Sequence, residues 1–106
     1  MRDLQQLMDF ISQRYQFTPG TYPDLAGLDD DRKQRFAITH SVLHMSKSLG
    51  QIAAEAERAD HGGQMDGDVL YATTTKMLVN VLKLADELGI RASDLITAVP
   101  QVMRSK

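Results

Sequence analysis

The chain has no cysteine. That excludes a disulfide scaffold and thiolate metal sites, and it fits a reducing cytosol. Nucleophile signatures are also missing: there is no G-x-S-x-G, and Gly62-Gly63 alone reads as a turn, not as a phosphate-cradling loop. Basic residues do not cluster. The 12 Lys and Arg are scattered, the net charge is −2 and the pI is near 5.8. A nucleic-acid-binding domain shows a basic patch or a pI above about 9, so duplex binding is not expected. No stretch approaches the ~18 consecutive apolar residues that span a membrane. The opening MRDLQQLMDF carries an acid at position 3 and no apolar core of a signal peptide. The expectation is a cytoplasmic chain with no membrane partner. Alternating Val, Ile, Thr and Tyr runs are absent, so nothing competes with helix.

What is present is helical periodicity over nearly the whole of 106 residues, a length that fits one domain, residues 1–106. Leu4, Leu7, Met8, Ile11 and Tyr15 predict a helix over 3–15. The segment from Phe17 to Asp31 holds Pro19, Gly20, Pro23 and Gly27, so it is a loop. Its Tyr22, Leu25 and Leu28 imply that it packs on something. Asp29, Asp30 and Asp31 then open a long helix, about 30–60, where acids complement the helix dipole. Ile38, Val42, Met45, Leu49, Ile52 and Ala56 recur along it at spacings of 4, 3, 4, 3, 4. His61-Gly62-Gly63 stops it. A second long helix, about 66–89, repeats the spacing with Leu70, Thr74, Met77, Val81, Leu84 and Leu88, and closes at Gly89.

Two matched seams with a short Gly-rich connection predict an antiparallel hairpin. Ser93 reads as the N-cap of a last helix, with Leu95, Ile96, Val99, Val102 and Met103 on its apolar face. Pro100 predicts a kink or break inside it. The methionines, among them Met8, Met45, Met65 and Met77, read as core fillers. The fold class is therefore all-α, four or five helices. Flanking apolar residues widen each seam: Leu43 and Ala53 on one helix, Leu78, Leu82 and Ala85 on the other. The hairpin is thus expected to dimerise, or assemble further, into a helical bundle.

Beside each seam runs a polar row. On the first long helix it is Ser41, His44, Ser48, Gln51 and Glu55, and on the second Thr73, Lys76, Asn80, Lys83 and Glu87. These are either two solvated faces or the walls of a ligand-binding groove, with His44, Ser48, Gln51, Glu55, Lys76, Asn80 and Lys83 as its candidate residues. His40 and His44, at i and i+4, have zinc-chelating spacing, but Ser41 stands where a zinc protease needs Glu and no third ligand is near. No metal site is expected there. Glu57 and Asp60, at i and i+3, have the spacing to share a divalent ion.

Two stretches carry a resemblance: HSVLHMSKSLGQIAAEAERADHGG and KMLVNVLKLADELGI. Residues ~36–98 resemble the MazG-like nucleotide pyrophosphohydrolases of the all-α NTP pyrophosphatase superfamily, chiefly through LGQIAAEAERADHG and VLKLADELGI. The resemblance implies a hairpin that pairs with another subunit. It also implies Mg²⁺ held by acids on both long helices, splitting a nucleoside triphosphate into monophosphate and pyrophosphate. At the positions of those acids this chain has Ser48, Gln51, Lys76 with Met77, and Asn80.

Neutral amides and hydroxyls are weak ligands for a hard dication, and Lys76 repels it. Catalytic residues therefore stay unassigned, and no cofactor is expected. Three readings follow. The chain is a homo-oligomer without hydrolase activity, or it binds a nucleotide-like or other anionic ligand with Lys76 and Lys83 in place of Mg²⁺. In the third, it is a pyrophosphohydrolase, using Mg²⁺ at a rearranged acidic site of Glu55, Glu57, Asp60 and Asp86 across a subunit interface.

Overall fold

The computed structural model describes residues 3–105, and among them the chain forms four α-helices and no strand. Helix α1 spans Leu4–Arg14, α2 Asp30–Asp60, α3 Gly67–Glu87 and α4 Ala92–Arg104. A single 3₁₀ turn, Pro23–Leu25, lies in the segment between α1 and α2. Local chemistry fixes the ends. Asp3, Asp29 and Asp66 cap α1, α2 and α3, each accepting a backbone N–H of the first turn. Gly62 and Gly89 take positive φ, 87° and 75°, just past the ends of α2 and α3, where a side chain would be strained.

Two expectations for α4 are corrected. Ser93 is not its N-cap. Arg91 is, two residues earlier: Asp94 accepts the Arg91 N–H at 2.8 Å and Gln5 of α1 accepts the Ala92 N–H at 2.9 Å. Pro100 does not break it either, since α4 continues to Arg104. Pro100 removes a single backbone donor.

The core is small. Met8 and Ile11 of α1, Leu82 and Ala85 of α3 and Ala92 of α4 form one buried cluster, with Leu4, Leu7, Val79, Ile90 and Leu95 packed round it. Met8→Ala in this cluster is expected to cost about 2–4 kcal/mol of unfolding free energy. Urea titration followed by circular dichroism measures it. Of the expected methionine fillers, Met8 is buried and Met45 and Met77 are half-buried. Met65, at 55% exposure, is not in the core, because it lies in the connection before α3.

Helices α2 and α3 pack against each other, and the expected seams are only partly covered: Met45, Ile52, Leu70, Met77 and Leu84 are half-buried. Helix α3 buries Thr73, Leu82, Lys83 and Ala85, and the buried residues of α2 are small or polar: Ala37, Ser41, Ser48 and Glu55. Small side chains let the helix backbones approach closely, so this row takes the centre. At about 100° per residue, Ile38, Val42 and Leu49 lie roughly a quarter turn round α2 from Ser41 and Ser48. They remain 37%, 47% and 59% exposed. Leu78, Val81 and Leu88 on α3 are likewise exposed.

This uncovered apolar surface shows in the bulk dimensions. The radius of gyration is 16.5 Å, where a compact chain of this length has about 13 Å. The accessible surface is 7831 Å², against roughly 5,900 Å² for a folded monomer of this mass. No helix among the described residues is long and apolar enough to cross a membrane.

Candidate functional site

On the other side of the α2–α3 pair lies a groove of about 490 Å³, within the range of small-molecule sites. Helix α2 supplies His40, His44, Lys47, Ser48 and Gln51 to it, and α3 supplies Lys76, Val79, Asn80 and Lys83. These are the polar rows, rotated on each helix away from the apolar side. Because both rows meet in one groove, the two apolar rows share the opposite side. Tyr15, Phe17 and Tyr22, from the end of α1 and the segment after it, close the groove. That segment is anchored by Leu25, which is 1% exposed.

Six of the seven candidate groove residues are together here: His44, Ser48, Gln51, Lys76, Asn80 and Lys83. Glu55 is not, and this is a correction. Its carboxylate is buried at the far end of α2, where it accepts the Asp66 N–H at 2.7 Å and pairs with Arg58. It ties α2 to the start of α3 and is not free to meet a ligand. The rearranged acidic set is not gathered within one chain. Asp86 lies instead beside α1, accepting from the Ser12 hydroxyl at 2.6 Å, while Glu57 and Asp60 are exposed. Among the described residues no three acids or histidines converge as metal ligands.

The groove's electrostatics have one sign. Its ionisable lining is three lysines, two histidines and two tyrosines, with no carboxylate. Lys83 is 5% exposed, its ammonium held by Glu87 one turn on and lying 4.6 Å from the centre of the Phe17 ring. Asn80 donates to the Lys76 carbonyl of its own helix at 2.9 Å. The aromatic wall is continuous. Phe17 meets Tyr22, Phe36 and His40 edge-on, with ring centres 5.3–5.8 Å apart. His40 stacks on Phe36 and stands 4.5 Å from His44. The Tyr22 hydroxyl is 3.2 Å from His40 Nε2. Burial first, and the neighbouring His44 second, push the His40 imidazole below its ordinary pKa.

Sequence reasoning passed over Tyr15, Phe17, Tyr22, His40, Lys47 and Val79 as groove residues. Lys47 was within reach, lying three residues after His44 and four before Gln51 on the same row. The aromatic residues come from a loop, where periodicity gives no facing. Comparison with known proteins adds no relative: no family model, no curated protein and no solved structure matches the chain.

Proposed function

We propose that this chain is a MazG-like helical homo-oligomer that does not hydrolyse nucleotides, and that its groove binds a nucleotide-like or other anionic ligand without a metal. One observation carries the reading. Ser48, Gln51, Lys76 and Asn80, which the resemblance sets against the family's metal-holding acids, line one groove that has three lysines and no carboxylate. Such a lining repels Mg²⁺ and attracts the anion that Mg²⁺ would otherwise hold. The oligomer is supported by the apolar side of the α2–α3 hairpin, which a second copy would cover.

The test is a thermal-stability and turnover assay on a panel of nucleotides, with Mg²⁺, with Mn²⁺ and with chelator. Expected is stabilisation that survives the chelator, about 2.7 kcal/mol for a ligand at 100 times its Kd, and no release of pyrophosphate. Turnover that requires Mg²⁺ or Mn²⁺ and is lost in Asp60→Asn, at an exposed acid, would overturn the reading in favour of a pyrophosphohydrolase assembled from acids of two subunits.

A further inference from the structure

We infer that the groove takes an aromatic ring bearing a phosphate group, and that binding loads a proton onto the His40–His44 pair. This rests on the reading of the groove as a metal-free anion site. It adds what the rest of the ligand is and what the histidines do.

The ring's place follows from the wall. Phe17, Tyr22 and His40 are already held edge to face by one another, so they present a fixed aromatic surface and lose little freedom when a ring lies against them. The anion's place follows from the lysines, and Lys83, over the Phe17 ring, joins the two. A ligand with a ring at one end and a phosphate at the other matches that sequence of surfaces. An aliphatic phosphate leaves the aromatic wall unused, and an uncharged ring brings no counter-charge to Lys47 and Lys76.

The histidines make the pairing sensitive to protons. Each element round the pair contributes either a cation or a hydroxyl: Tyr15 from α1, Tyr22 from the connecting segment, Lys47 from α2, and Lys76 and Lys83 from α3. Among the described residues no carboxylate lines the groove, and Glu87 is engaged by Lys83. A proton on His40 finds no carboxylate in the groove lining, and burial first, with the neighbouring His44 second, pushes the His40 imidazole below its ordinary pKa. A phosphate dianion reverses the sign of that environment. Its second pKa is about 6, so between about pH 7 and 8 the free ligand is already a dianion and the free His40 is neutral. The complex then binds more protons than its parts, and affinity rises as pH falls, by at most tenfold per unit for each proton taken up.

The probes are phenyl phosphate and inorganic phosphate, titrated calorimetrically into the intact protein with EDTA present. Titrations run at about pH 7 and 8 in buffers of contrasting ionisation enthalpy. Expected are roughly three- to tenfold tighter binding of phenyl phosphate than of inorganic phosphate at pH 8, where both are mainly dianions, and uptake of roughly 0.3–1 proton with phenyl phosphate. Affinity should gain up to tenfold from pH 8 to 7, and the uptake should be lost in His40→Gln with His44→Gln.

Equal affinity for the two phosphates, or heats independent of the buffer, would overturn this inference while leaving a metal-free anion site standing. Binding of neither probe would overturn both. Because the uptake is read on the unaltered chain, a misfolded histidine variant does not rescue the inference.

Discussion

Glutamate at both Leu49 and Val81 is expected to abolish the proposed homo-oligomer. Light scattering should then give the mass of a single chain, 11.8 kDa. In one chain these side chains are 59% and 44% exposed, so a charge there would cost an isolated monomer little. In an interface the same carboxylates lose their water and find no partner, which costs several kcal/mol each. Every 1.4 kcal/mol is tenfold in the dissociation constant, so two substitutions per chain should weaken association more than a thousandfold.

The size of the uncovered surface sets the expectation for the unaltered protein. The whole chain exposes about 1,900 Å² more than a compact monomer of its mass, partly here and partly on α4, where Ile96, Val99, Val102 and Met103 are also exposed. A second copy covering Ile38, Val42, Leu49, Leu78 and Val81 would bury part of that surface, where an interface of standard size takes roughly 800 Å² from each partner. Circular dichroism on the double variant reads whether the separated chain keeps its helices. Loss of helix together with dissociation would mean that folding and assembly are one process. An unaltered mass for the variant would show that this side of the α2–α3 pair is not the interface.

The helices themselves were legible because their signals are local. Asp29, Asp66, Gly62 and Gly89 mark ends through backbone geometry that depends on neighbours alone, and α2 and α3 fall within two residues of their expected bounds. Facing was less legible. A regular apolar row such as Ile38-Val42-Met45-Leu49 states that something will cover it, without stating whether that is the next helix or another chain. Here the smaller Ala37, Ser41 and Ser48 won the intrachain contact, which pushed the apolar row aside and brought the polar rows together round a groove. Serine spacing on a helix carries no such message by itself.

The groove was half legible for the same reason. His44, Ser48, Gln51, Lys76, Asn80 and Lys83 share helical rows, so their sequence spacing reports their proximity. Phe17 and Tyr22 reach the groove through a loop whose path depends on Leu25 being buried and on rings meeting Phe36 and His40, none of which has a period. Glu55 was misplaced because the row that contains it runs straight, while the groove ends where the connection to α3 begins. There the Asp66 N–H and Arg58 claim its carboxylate.

Lys83→Met should separate the groove's charge from its shape. Methionine keeps the length and packing of the lysine stem against Phe17 and removes the ammonium, so the wall of the groove stays in place. Charge-assisted hydrogen bonds contribute about 1.5–3 kcal/mol each, so the affinity for phenyl phosphate is expected to fall roughly 10- to 150-fold, read by calorimetry in EDTA. Lys83→Arg keeps the charge but not the compact head, and should retain more of the binding than Lys83→Met does.

Stability moves in the same direction for a different reason. Lys83 is 5% exposed and its partner Glu87 is left without an ammonium. Removing one member of a fully buried pair costs about 3–5 kcal/mol. The Glu87 side chain keeps 27% of its exposure, so water can resolvate it and the expected loss is nearer 1–2 kcal/mol. Adding Glu87→Gln to Lys83→Met removes the stranded charge and should recover most of that stability while leaving the ligand affinity low. Recovery of both together would mean that Glu87, and not a bound anion, is the charge Lys83 is there to meet.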